Sequence, residues 1–227
     1  MPFTLQNASV LTPWQQLVNA GKCFEVTNPS PGTAVAHANK TSFSATANGL
    51  FVIANNNPAG SGVNIYLQQL VMVQTATAPT GTLVEHYEVY NETGIVTGLT
   101  AVTPRTPVNL NPASSNTTNA TVQAFLTGAI TIPAAVGSRR LQAIHTVATG
   151  VTVIHDTFII TFGAEGGSVA KNGGAAARAT DAATLVSSAP AVCIAPQTTS
   201  WINQWWVTAA ANVPSYEYML TYAELAE

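Results

Sequence analysis

The chain has 227 residues, a formal net charge of −3 and only 7% charged side chains, against about 25% in an average soluble domain. Its seven basic residues, Lys22, Lys40, Arg105, Arg139, Arg140, Lys171 and Arg178, are dispersed, which excludes the clustered footprint that nucleic acid or an anionic membrane surface requires. No apolar run approaches the roughly 20 residues that span a bilayer, and one all-β unit of roughly 200–250 residues accounts for the whole length.

The first residues, Met1-Pro2-Phe3-Thr4-Leu5-Gln6-Asn7, carry neither the basic nor the apolar segment of a secretory leader, so the chain is expected to fold in a cytoplasm. Residues 1–31 alternate poorly and read as an extended, irregular N-terminal arm, with a turn or two of helix over 12–20. The run Asn28-Pro29-Ser30-Pro31-Gly32 closes that segment. Residues 32–227 read as a single domain. From there period two dominates. Phe43, Ala45, Ala47, Phe51 and Ile53 share a face, with Ser42, Ser44, Thr46 and Asn48 opposite, and Asn55-Asn56-Asn57-Pro58 breaks the pattern. Turn residues bracket a strand over 83–90. Residues 103–119, with Pro104, Pro107 and Pro112, read as a surface loop.

Val122, Ala124, Leu126, Ile130 and Ile132 then share a face, as do Leu141, Ala143, His145 and Val147, and Ile154, Phe158, Ile160 and Phe162. Residues 163–181 read as a Gly- and Ala-rich loop, with a short helix over 175–185 overlapping its end. The closing segment places Tyr216, Tyr218, Leu220 and Tyr222 on one side and Glu217, Met219 and Thr221 on the other. Repeated alternation with Pro and Gly punctuation predicts an all-β fold, an antiparallel β-sandwich with almost no helix.

No constellation of catalytic type stands out. His155 and Asp156 are adjacent, so in a strand they point to opposite faces. His86 and Glu88 share a face but lack a third ligand at a recognisable spacing. The glycines around 163–167 and 173–174 precede neither a lysine nor a helix that would cradle phosphate. No enzyme activity, metal or cofactor is therefore expected. Cys23 and Cys193 read as free thiols.

The aromatic residues carry more information. Trp201, Trp205 and Trp206 lie together and Tyr216, Tyr218 and Tyr222 follow. In a strand Trp201 and Trp205 face one way and Trp206 the other. One side belongs to the core, and the other is a candidate subunit interface or sugar platform. Arg139 and Arg140, the one adjacent basic pair, join this candidate interface. A surface poor in charge suits burial against other proteins, because a desolvated ion costs more than a hydroxyl or amide that finds a partner.

The C-terminal order is distinctive. Ala189-Pro190-Ala191-Val192-Cys193-Ile194-Ala195-Pro196 precedes a polar spacer over 197–200. Then come Trp201-Ile202-Asn203-Gln204-Trp205-Trp206-Val207, a short loop with Pro214, and the closing Tyr216-Glu217-Tyr218-Met219-Leu220-Thr221-Tyr222. This succession resembles the ends of small jelly-roll virion structural proteins of tailed bacteriophages, with capsid cement or decoration proteins nearest in kind. As a layout of strands the resemblance extends from Phe43 onward. It implies a jelly-roll-like sandwich and a non-enzymatic subunit on the capsid surface. It also implies a homotrimer whose partner is the major capsid protein. No catalytic residue comes with it. The alternative is a phage tail or fibre domain, or a lectin-like module gripping a host glycan through exposed tryptophan.

Overall fold

The computed structural model describes residues 11–36, 49–76, 83–92, 94–97, 104–124, 136–147, 157–163, 170–171, 184–189, 191–206 and 215–227. Fourteen strands, numbered in chain order, and one short helix form among the described residues. One sheet contains β1 (Cys23–Thr27), β2 (Val35–Ala36), β4 (Val63–Ala76), β6 (Val108–Asn109), β9 (Thr157–Phe162), β10 (Ala170–Lys171), β11 (Thr184–Ala189), β12 (Cys193–Ile194) and β14 (Ser215–Ala226). Its order is β10-β11-β9-β4-β14-β1-β6, with β12 also on β4 and β2 on β14. The other contains β3 (Gly49–Asn55), β5 (Leu83–Glu92), β7 (Ala120–Ala124), β8 (Val136–Val147) and β13 (Thr199–Trp206), ordered β7-β3-β13-β5-β8. The strands pair antiparallel except β9 and β11, which are parallel. The chain is thus an all-β sandwich.

β14 organises the larger sheet. It pairs along its whole length with β4, from Ser215↔Ala76 to Ala226↔Val63, and on its other side with β1, from Cys23↔Ala223 to Thr27↔Met219. Tyr216, Tyr218, Leu220 and Tyr222 point inward as their alternation predicts, and all four are buried. Tyr218 meets Phe51 of the opposite sheet edge-on, with centroids 4.9 Å apart, and Tyr222 stacks on Phe24 at 5.7 Å. Ile53, Val122, Ala124 and Ile202 from the five-stranded sheet close on Leu70, Met72, Ile160 and Phe162 from the other. Burial of this kind is the main favourable contribution to folding, about 25 cal/mol per Å² of apolar surface.

β4 does not show in the alternation because a bulge breaks its phase. Thr221 pairs with Gln69 and Tyr222 with Leu67, so Gln68 is the extra residue. Ile65 and Leu67 face the core before it, Leu70 and Met72 after it. The Thr221 hydroxyl and the Gln68 Oε1 are 2.5 Å apart across the bulge.

Residues 1–31 are not an extended arm over their described part. Thr12 caps a helix, α1 (Pro13–Asn19), through a reciprocal box with Gln15. β1 then lies between β14 and β6, with Phe24 only 2% and Val26 only 1% exposed. A five-residue strand is too short for period two to stand out, and the core contact that orders it is made with residues near position 220. Gly21, at φ +64, joins helix to strand; a Cβ there would lie 2.1 Å from the Ser114 Oγ. Residues 1–10, 37–48, 125–135 and 148–156 lie outside the described residues, and with them part of the predicted alternation. So do 172–183. Thr184 and Leu185, predicted as the end of a short helix, belong to β11 instead.

The segment predicted as a surface loop is pinned down where it is described. Arg105 donates its backbone N–H to Thr27, Leu110 to Cys23, and the Asn109 and Asn111 amides donate to Gly21 and Asn19 carbonyls. A larger amide network joins the two sheets. Asn55, at the end of β3, is fully buried and donates through Nδ2 to the carbonyls of Val63 (2.9 Å) and Ile194 (2.8 Å) in the opposite sheet. Its Oδ1 accepts from the backbone N–H and the side chain of Asn57.

Two outcomes follow. Asn55→Ala strands buried carbonyls and an N–H, so a loss of about 2–5 kcal/mol is expected in urea unfolding with an unchanged slope. Deletion of residues 1–31 withdraws β1 from the sheet and should abolish the cooperative transition in calorimetry; an intact transition would show that β1 is dispensable.

Candidate functional site

Successive strand residues point to opposite faces, so the residues between the core-facing ones of β1, β14, β4 and β9 make the outer face of the larger sheet. The register arranges them in rows. Thr27, Met219, Val71 and Ile159 form one. Glu25, Thr221, Gln69 and Thr161 form the next, and Glu217, Val73 and Thr157 lie on the other side. An apolar row is therefore flanked by two largely uncharged ones, with carboxylates only toward the β1 and β14 side.

A groove of about 390 Å³ runs over this face, lined by Glu25, Val71, Val73, Arg105, Glu217 and Met219 with Asn28 and Pro31 at one end. Its walls are held in place. The Gly32 N–H donates to Glu217 Oε2 at 3.1 Å, and Asn28 Nδ2 donates to the Ser30 and Thr33 carbonyls at 2.8 and 3.0 Å. Val71, Val73 and Met219 are half-buried, so they present apolar surface that a partner can finish covering. Chemically the groove offers packing and a few charge contacts. Among the described residues no cluster of His, Cys, Asp or Glu is placed to hold a metal ion, and no helix is long and apolar enough to cross a membrane.

The predicted interface residues do not gather on one surface. Tyr216, Tyr218 and Tyr222 belong to the core between the sheets. Trp201 lies on the side of β13 away from that core, opposite Val52, yet it is only 1% exposed. These four are covered within the chain and do not form a docking surface or an exposed sugar platform. Trp205 and Trp206 pair in register with His86 and Glu85 of β5, and Arg139 and Arg140 with Tyr90 and Val89, which places them on the five-stranded sheet. His86 and Glu88 sit two apart on β5, as predicted. His155, Asp156 and the glycines at 166, 167, 173 and 174 lie outside the described residues.

The outer groove was only half visible in sequence. Glu217 and Met219 mark an outward side of β14, but nothing in the order of residues says that Glu25, Val71 and Arg105 lie beside them.

Both cysteines are free, Cys23 buried and Cys193 exposed. Burial pushes the Cys23 thiol up from 9.0 to about 11 and raises the Tyr218 and Tyr222 hydroxyls as well. A thiol reagent at neutral pH is expected to modify Cys193 alone in the native protein and both after denaturation. Above pH about 9 the unfolded chain releases the Cys23 proton while the folded chain keeps it. Stability should then be full below pH 9 and fall as pH rises toward 11. Cys23→Ala should flatten that part of the decline when unfolding midpoints are compared.

No protein-family model, curated protein or solved structure matches the chain.

Proposed function

We propose that the chain is a non-enzymatic structural protein of a virus particle, a cement or decoration subunit on the outside of a phage capsid. In this reading it is made in the host cytoplasm and acts as a homotrimer against the major capsid protein, and its sandwich has jelly-roll-like connectivity. The observation that carries the docking role is the outer face of the larger sheet. Met219, Val71 and Ile159 run across three adjacent strands with Thr221, Gln69 and Thr161 beside them. Across β4 and β9, away from Glu25, Arg105 and Glu217, this face can be desolvated without stranding ions, which is the condition that burial between proteins sets. The low charge of the whole chain supports the same reading. The capsid as partner and the three-fold symmetry come from the resemblance of residues 189–222 to virion proteins. Trp205, Trp206, Arg139 and Arg140, on the other sheet, are candidate contacts with neighbouring subunits.

Light scattering of the purified protein at micromolar concentration should report a trimer; a monomer overturns the oligomeric part. Particles assembled without the protein should lose resistance to heat and osmotic shock, and equal resistance removes the cementing role. Val71→Lys and Met219→Lys place an ammonium on the outer face and should leave the β-sheet circular dichroism intact. Their occupancy on particles is expected to drop by about tenfold or more, the loss that corresponds to about 1.4 kcal/mol.

A further inference from the structure

A second cavity opens at the opposite end of the β1–β14 pair. It encloses about 320 Å³ and is lined by Lys22, Phe24, Val63, Ser115, Asn116 and Glu224, among others. That volume is at the lower end of the roughly 300–1,000 Å³ of small-molecule sites, the scale of a single ring. Glu224 is its buried ionisable member, 8% exposed. Both of its side-chain hydrogen bonds fall on Oε1. The Thr118 hydroxyl donates one and the Asn119 backbone N–H, at 3.1 Å, the other. Oε2 has no hydrogen bond among the described residues. A carboxylate oxygen so placed is a strong acceptor for a group entering the cavity.

The rest of the lining sets what that group is. Asn116 commits Nδ2 to the Ala20 and Gly21 carbonyls at 3.4 and 3.1 Å, which leaves Oδ1 as a second acceptor. Lys22, Ser115 and Thr117 bring donors. The single carboxylate and the single ammonium balance, so the cavity does not select an ion by net charge. Interleaved donors and acceptors match adjacent hydroxyls, each of which donates and accepts. Half-buried Val63 adds a small apolar surface beside them.

We infer that this cavity binds one ring of a neutral saccharide, with Glu224 Oε2 accepting from its hydroxyls. The site is separate from the buried tryptophan, and the inference does not rest on the docking role proposed above. A zwitterion such as a free amino acid would also pair with Glu224 and Lys22, but it would leave the Ser115, Asn116 and Thr117 groups unused.

The test is an amide-resolved NMR titration of the full chain with D-glucose, D-galactose, D-mannose and N-acetyl-D-glucosamine, with L-serine as a separate arm. At least one sugar is expected to shift the amides of residues 115–119 and 224 saturably, with Kd at or below about 5 mM. Glu224→Gln keeps an Oε1 to accept from Thr118 and Asn119 but turns the second oxygen into a donor. It should unfold at the native midpoint and bind at least about tenfold more weakly. If that variant fails to fold, Lys22→Met is read instead. It retains the backbone bond from Glu224 to the Lys22 carbonyl and should weaken binding about threefold or more. Absence of saturation by any of the four sugars overturns the inference. Saturation by serine in their place, shifts confined to other residues, or unchanged affinity in the folded variant also overturn it.

Discussion

A single neutral side chain ties the end of one sheet to two strands of the other. Asn55 lies at the end of β3 and reaches across to backbone carbonyls of β4 and β12, while its own backbone exchanges hydrogen bonds with Gln197 and Thr198. An ion at this point would lose most of its hydration, and its partner would have to be equally buried. An amide needs only the carbonyls and N–H groups that strand ends supply. The same solution recurs outward from Asn55. Asn57 bonds to it, Asn119 to Asn57, and the Gln197 amide to the carbonyl of Asn57. This is where the scarcity of charge has its structural counterpart: side-chain amides occupy places that ion pairs fill in other proteins.

The network also explains why a carboxylate survives nearby. Asn119 donates its backbone N–H to Glu224, and Thr118, which bonds to the same carboxylate, accepts from the Tyr222 hydroxyl. Glu224 is therefore anchored by a frame that begins at the junction of the sheets. Strand β14 thus serves two surfaces. Its Glu217 and Met219 face the outer groove, and its far end brings Glu224 to the polar cavity.

Sequence alternation reveals strands wherever one face is wholly apolar and the phase holds. Tyr216 to Tyr222, Ile160 with Phe162, and Val122 with Ala124 satisfy both conditions, and each faces the core. β4 fails the second, because Gln68 inserts a residue and its buried positions switch from odd to even. β1 is too short, and residues 104–119 look like a loop because their bonds run to the backbone of residues 19–27, which no local pattern encodes. Trp201 misleads for another reason. Period two says which side of a strand it occupies, but not that the side away from the main core is covered too. The run Asn55-Asn56-Asn57 carries turn chemistry on its face, and its role in joining the sheets depends on Val63, Ile194 and Asn119, which only the fold brings near.

The position of β14 between β1 and β4 has a consequence for biosynthesis. Both flanking strands are translated long before residues 215–226, and each then presents an unpaired edge to whatever is nearby. At ordinary elongation rates that interval is on the order of ten seconds, far longer than the microseconds in which local hairpins form. A nascent chain in this state is open to pairing with another copy of itself at the very edges that β14 will later occupy. Crowded synthesis on closely spaced ribosomes would therefore promote intermolecular sheets in competition with native ones. Chaperones that hold the β1 and β4 edges, or faster translation through residues 215–226, would raise the yield of folded protein without changing any contact in the finished sandwich.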